Sequence, residues 1–217
     1  MKLNKIKAVI FDMDGTLLDT ERYFRIFWPK AAAAFGYHMT DEQALELRSL
    51  GRPFAPKKLK EWFGEDFDYV AVRQKRREMM EPFLTENGID LKPGAVEILQ
   101  ELHKRGVTVA IATATESGRA KECLEQVGIY SYIDKLICAN MVEQGKPAPD
   151  IYRYAVCQLG LSPEECIAVE DSPNGVKSAH AAGCKVVMVP DQTKPDEELS
   201  KLLYGCVENL SEMVRFL

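Results

Sequence analysis

Residues 6–20 read IKAVIFDMDGTLLDT, and the fold turns on how that stretch is understood. An apolar run climbs to Phe11 and then stops on Asp12, Met13, Asp14 and Gly15. A run that is apolar throughout, instead of alternating, is the pattern of a strand covered on both faces. Similar runs recur at 107–113 (VTVAIAT), 166–171 (CIAVED) and 184–189 (CKVVMV), with a weaker one, KLIC, at 135–138. Segments with helical spacing separate them. One spans 95–105, where Val96, Ile98, Leu99 and Leu102 mark an apolar face, and others span 118–127, 151–159 and 173–182. Strand and helix in alternation predict right-handed crossovers and a doubly wound parallel α/β sheet of the Rossmann-like kind. The punctuation agrees. Ser162 and Ser172 each stand before a proline as N-caps, and Gly106, Gly128, Gly160 and Gly183 follow the expected helix ends.

Between 16 and 88 the rhythm breaks. Four helical patterns occur there, at 21–35, 41–50, 56–63 and 67–83, and no strand pattern. Basic residues (Arg73, Lys75, Arg76, Arg77) and aromatic ones (Phe54, Trp62, Phe63, Phe67) share the segment. The expectation is an α/β core formed by 1–15 and 89–217, with an inserted α-helical cap domain at 16–88 acting as a lid.

Composition narrows the function. A chain of 217 residues, 46% hydrophobic, has ample apolar content for one large domain or a domain with an insertion, which excludes intrinsic disorder. With 28 Lys+Arg against 33 Asp+Glu there is no basic surplus for a nucleic-acid backbone. No run approaches the ~20 apolar residues of a membrane helix, and the opening run is too short and too soon acidic for a signal peptide. Six cysteines without a CxxC pair read as reduced core residues of a cytoplasmic protein. A monomer is the expected state.

The chemistry gathers at the strand ends. Ligands of open α/β sheets bind outside the carboxyl ends of the strands. Asp12 and Asp14, two acids spaced i, i+2, are costly there unless a cation is near. The second strand ends at Thr113 in ATATES, ahead of a helix start whose N–H groups suit an anion. Lys146 sits in QGKPAPD, stiffened by Pro147 and Pro149, and the fourth run closes on Glu170-Asp171-Ser172. Two acidic clusters on one edge call for a shared divalent cation, and hard oxygen ligands point to Mg²⁺. The set suits phosphoryl transfer. The metal and Lys146 would neutralise phosphate oxygens, while Thr113 and the loop N–H groups from Ala114 onward hold another. A carboxylate can accept the phosphoryl group. Asp14 can protonate the leaving oxygen and then deprotonate a water.

FDMDGTLLDT, ATATES, GKPAPDIY and VEDSPNGVKSAHAAG, in that order across nearly the whole chain, resemble the four motifs of the haloacid-dehalogenase-like (HAD) superfamily. The helical insertion is similar to the small α-helical cap of the subgroup containing β-phosphoglucomutase and phosphoglycolate phosphatase. The resemblance implies Asp12 as nucleophile and Asp14 as general acid/base, with phosphate bound by Thr113, Ala114 and Lys146. It implies Mg²⁺ held by Asp12, the Asp14 backbone carbonyl and Asp171, supported by Glu170. The presence of Asp14 excludes the dehalogenases, which lack this second acid. The β-phosphoglucomutases carry a histidine on the first cap helix where Phe24 aligns, so Phe24 favours hydrolysis. In the cap, Arg48, Arg52 and Lys58 are in reach of a substrate, with Arg52 in LGRPF preferred, and Glu21 and Arg22 line the entrance. His38, His103 and His180 lie away from the motifs and read as structural or solvated.

The expected function is a Mg²⁺-dependent phosphatase of a small phosphorylated metabolite, a sugar phosphate above all. A hexose-phosphate mutase using the same aspartyl-phosphate is the alternative. A non-enzymatic phospho-accepting receiver domain is the remote one, because receivers are shorter and have no helical insertion at this point.

Overall fold

The computed structural model describes residues 6–217, so the first five residues of the expected core segment lie outside it. In chain order the strands are β1 (Ala8–Phe11), β2 (Thr108–Thr113), β3 (Lys135–Cys138), β4 (Cys166–Glu170), β5 (Lys185–Met188) and β6 (Gly205–Cys206). All pair in parallel, in the order β3-β2-β1-β4-β5-β6. The chain walks outward from β1 through β2 to β3, then returns to place β4 on the other side of β1. That reversal opens a crevice between the carboxyl ends of β1 and β4, where ligands of such sheets bind. The expected doubly wound parallel sheet is therefore present.

Both faces of the sheet are covered. Val9 and Phe11, Val109 and Ile111, Ile167 and Val169 pack into one apolar cluster with α5 (Ala95–Arg105) and α6 (Ser117–Gln126). The alternate residues Ala8 and Ile10, Ala110 and Ala112, Cys166 and Ala168 pack on the other face against α7 (Asp150–Leu159) and α8 (Pro173–Ala181). Because both clusters are apolar, the period-2 signal disappears from the sequence and a continuous run remains. The four glycines that follow α5, α6, α7 and α8 all have positive φ, between 65° and 88°.

The insertion after β1 is helical throughout: α1 (Glu21–Ala33), α2 (Asp41–Glu46), α3 (Phe54–Phe63) and α4 (Tyr69–Asn87). It has cores of its own. Trp28, Ala31, Met39, Leu47, Leu59, Phe67 and Val72 form one, and Phe27, Met80 and Leu84 a second. Leu17 and Leu18, assigned by sequence to the insertion, instead pack with the sheet cluster, and Leu18 bridges to Leu91. Thr40 caps α2 in a capping box with Gln43, and the Asp68 side chain caps α4 at Ala71 N.

Several details differ from the sequence reading. Residues 162–165 form only a 3-10 turn, because the strand β4 begins immediately after it. The two-residue β6 and the four-residue α9 (Glu197–Ser200) are too short to leave a periodic trace. Cys123, Cys138, Cys166 and Cys184 are buried free thiols, but Cys157 and Cys206 are exposed, on a helix flank and on the edge strand. No helix among the described residues is long and apolar enough to cross a membrane.

Candidate active site

Register builds the centre of the site. Phe11 pairs with Val169, so the next residues, Asp12 and Glu170, stand side by side at the sheet edge. Parity then turns both toward the face that carries α7, where Tyr152 and the loop before α7 wait. Lys146 Nζ donates to Asp12 Oδ1 at 2.5 Å and to Glu170 Oε1 at 2.6 Å, and Tyr152 OH donates to the same Glu170 oxygen at 2.5 Å. All four side chains are buried. Burial pushes the Asp12 carboxyl well above the usual carboxylate range; Lys146 pulls it back, and Glu170 and Asp171 push it further. Burial disfavours the Lys146 ammonium, but Asp12 and Glu170 outweigh that and raise its pKa. Burial, then the charge of Glu170, raises the Tyr152 phenol. Tyr152 was not among the expected site residues; its place in GKPAPDIY, six residues after Lys146, was the available signal.

Asp14 is held differently. Its Oδ1 accepts from Thr20 Oγ1 at 2.7 Å and its Oδ2 from Thr115 Oγ1 at 2.8 Å. Neither threonine was singled out from sequence, although Thr115 stands in ATATES. Thr113 is fully buried behind it, its hydroxyl accepting from Thr115 N at 3.0 Å, while Ala114 and Thr115 line the cavity ahead of α6.

Asp171 follows Glu170 and faces the insertion. Thr16 Oγ1 lies 3.5 Å from Asp171 Oδ1, and the buried Arg48 places Nη1 3.4 Å from Oδ2, with its Nη2 on Thr193. Burial, then Glu170, lifts the Asp171 carboxyl to about 7 against the pull of Arg48. Two glycines make room for these acids. A Cβ on Gly15, whose φ is +85°, would sit 2.6 Å from Asp171 Oδ2, and one on Gly175 would fall 1.9 Å from Glu170 Oε2. Those glycines of FDMDGT and SPNG are therefore steric requirements of the acids beside them.

The donor set fits a hard divalent cation. Asp12, Glu170 and Asp171 each offer an oxygen within 4.8 Å of the others. Asp12 Oδ2 and Glu170 Oε2 are buried without any hydrogen-bond partner. Lys146 and Arg48 leave the three acids one negative charge in excess when all are ionised. Orphaned carboxylate oxygens with surplus charge are what Mg²⁺ satisfies. The Asp14 carboxylate lies outside this trio, engaged by its two threonines.

The insertion closes over the edge to form a cavity of about 140 Å³ between Asp12 and Asp14 on one side and α1 and α4 on the other. Glu21 lines it and is 4% exposed; burial, then Asp171 and Asp14, raises its carboxyl well above the usual range. Arg52 lies at the mouth, mostly exposed, 3.9 Å from Glu116. Arg48 lines the cavity as well while reaching Asp171. Lys58 turns away to Glu46 and the Trp62 ring, and Arg22 pairs with Asp90 at 2.6 Å across the two ends of the insertion. Phe24, Arg73, Arg76 and Arg77 also line the cavity. The three arginines were visible only as part of a basic stretch, since nothing in the sequence says which turn of α4 faces the sheet. Of the histidines, His103 stacks edge-on to Tyr132 and His180 Nδ1 lies 3.2 Å from the Leu202 carbonyl, both remote from the site.

A parallel sheet with its acids and lysine gathered at the topological switch point is the arrangement of a hydrolase class known from many sequences. Residues 6–183 match haloacid dehalogenase-like hydrolase, and the chain belongs to that family. Among its relatives, hexitol phosphatase A of Escherichia coli (strain K12) is 33% identical over 204 residues, covering 93% of this chain and 92% of the relative. The probable pseudouridine-5'-phosphatase of Drosophila melanogaster is 31% identical over 204 residues, covering 91% and 87%. The crystal structure of CbbY from Rhodobacter sphaeroides in complex with phosphate shares the fold with a TM-score of 0.81 and 28% identity, covering 96% of both chains.

Proposed function

We propose that this hydrolase is a Mg²⁺-dependent phosphatase of a small phosphorylated sugar, working through an aspartyl-phosphate on Asp12. The observation that carries the reading is the buried Asp12 carboxylate, oriented by Lys146 and left with one oxygen free of any hydrogen bond. Asp12, Glu170 and Asp171 would hold the cation, together with the Asp14 backbone carbonyl, and a bound Mg²⁺ would supply charge neutralisation at the phosphate. Lys146 adds its ammonium, and Thr113 with the N–H groups from Ala114 onward binds the remaining phosphate oxygens. An Asp12 oxygen attacks phosphorus, and the bond to the leaving oxygen breaks as Asp14 gives that oxygen its proton. Asp14 then takes a proton from the water that attacks the aspartyl-phosphate, which frees phosphate and restores Asp12.

The helical insertion serves as the cap. It shields the phosphoryl group from bulk water, and its inner face, with Glu21 and Arg52 among the contacts, selects the leaving group. Named relatives that act on hexitol and pseudouridine phosphates support a sugar-phosphate substrate. Phe24 puts an apolar ring where a mutase would carry a histidine, which supports transfer to water. A cytoplasmic location suits six unpaired cysteines.

A phosphate-release screen over sugar phosphates, run with Mg²⁺ and with a chelator, tests the proposal. Turnover that requires the ion and falls at least about 10³-fold in Asp12→Asn, with unchanged thermal unfolding, is expected. Wild-type-like p-nitrophenyl phosphate hydrolysis by that variant would remove Asp12 as nucleophile. Isomerisation of β-glucose 1-phosphate in place of phosphate release would make the chain a mutase.

A further inference from the structure

One cation of the acidic cluster belongs to the insertion and not to the core. Arg48 stands in the linker between α2 and α3, is 3% exposed, and places Nη1 3.4 Å from Asp171 Oδ2. Its hold on that acid is loose. A charge-assisted N–H···O bond closes to about 2.7–2.9 Å, and the Arg48 Nε is buried with no hydrogen-bond partner. Lys146, by contrast, sits 2.5 Å from Asp12 and 2.6 Å from Glu170. The linker itself is strained. Ser49, next in sequence, has a φ of 54°, the only positive φ outside glycine among the described residues. Left-handed backbone disfavours a residue with a Cβ and persists only where its surroundings hold it. The loop that carries Asp171 supplies that hold, since Asn174 Nδ2 donates to the Arg48 carbonyl at 2.9 Å and to the Glu46 carbonyl at 3.2 Å. Arg48 is thus fastened to one core loop by its carbonyl and by its guanidinium, and Nη2 donates to Thr193.

Charge counting decides which of these bonds yields to a cation. When ionised, Asp12, Glu170 and Asp171 bring three negative charges against two positive ones, on Lys146 and Arg48. A divalent ion among them turns one excess negative charge into one excess positive charge, so one resident cation becomes redundant. Lys146 is held by two short bonds and Arg48 by one long one, so Arg48 is the cation that gives way. We propose that Arg48 is the resident counter-cation of Asp171 and a latch on the insertion: it pairs with Asp171, competes with a divalent ion for that carboxylate, and releases the linker at 47–50 once the ion is bound. The proposal rests on the metal site of the phosphatase reading and adds an order of events to it, the ion first and the loosening of the insertion second.

Calorimetric titration with Mg²⁺ alone, in the absence of any substrate, tests the competition. Arg48→Met keeps an unbranched side chain and removes the charge, and it should bind Mg²⁺ about tenfold or more tightly than the wild type, the scale of one unit charge near the ion in a partly screened site. Arg48→Lys restores the charge and should give back most of that difference. An arginine that only packed would leave metal affinity alone or weaken it when truncated, and either result for Arg48→Met would overturn the proposal. Amide hydrogen exchange of the wild type, with and without Mg²⁺, reads the latch without any variant. Amides at 47–50 should exchange about tenfold or more faster with the ion bound, as a locally released segment does. Unchanged or slower exchange there would overturn the release. A wild-type protein that takes up no Mg²⁺ would remove the metal site of the proposed function and the latch with it. Uptake that Arg48→Met leaves unaltered rejects the role of Arg48 and leaves that site standing.

Discussion

At the scale of single residues, two aspartates two positions apart are set to different tasks by their neighbours. Asp12 is buried against an ammonium and two acids, whereas Asp14 accepts from two hydroxyls on loops that meet only in the fold. If Asp14 is the proton donor to the leaving group, Asp14→Asn should cost roughly 10²–10⁴-fold on an alkyl phosphate. It should cost far less on p-nitrophenyl phosphate in single-turnover measurements, because nitrophenolate needs little help to depart. Equal losses on both would assign Asp14 a positional role. Asp12, Lys146, Glu170 and Asp171 were legible in the sequence because each ends a strand-like run or stands directly before a stiff Pro-Ala-Pro segment, and the topology brings them to one edge. Tyr152, Thr20, Thr115 and the α4 arginines were not. Their roles depend on which side of a helix or loop faces inward, and a lone tyrosine or arginine carries no sign of that.

At the scale of elements, the insertion is fastened to the core by backbone as well as side chains. Gly51 N donates to the Lys146 carbonyl at 2.8 Å, and Gly145 N donates to the Arg52 carbonyl at 2.7 Å. The two glycines are so close that a Cβ on Gly51 would lie 2.6 Å from Gly145 Cα. Backbone cannot yield as a side chain can, so Gly51→Ala should break this clasp and hold the insertion away from the loop that carries Lys146. Overpacking of this kind costs about 1–3 kcal/mol. The expected outcome is a kcat/KM about tenfold or more lower, with a larger radius of gyration in solution scattering; unchanged values of both would show the clasp to be incidental. The helices of the insertion were readable from their spacing, but the clasp was not, since a glycine in a loop says nothing of what approaches it. Leu17 and Leu18, counted with the insertion by a boundary at residue 16, likewise carry no sign in the sequence that they turn back to the sheet and pack with it.

At the scale of the whole molecule, the sheet's reversal of strand order fixes where the acids meet, and the acids set the charge that a bound cation would balance. Carboxyls whose folded pKa is raised destabilise the folded chain progressively as pH climbs from the unfolded value near 3.8 toward the value near 7 reached by Asp171, and fully above it. A cation that replaces those protons relieves the strain of charge. Millimolar Mg²⁺ at about a hundred times its Kd should stabilise by roughly 2.7 kcal/mol, which at this chain length is about 5–10 °C in Tm. The gain should be greater at pH 8 than at pH 5.5, where protons already occupy the cluster. A gain that is absent, or equal at both values, would argue against the metal site. The account as a whole rests on where the phosphoryl group lands. A crystal structure of the protein with Mg²⁺ and beryllium fluoride reads that directly: the trifluoroberyllate should be bonded to an Asp12 carboxylate oxygen, and its attachment to any other atom would contradict the account.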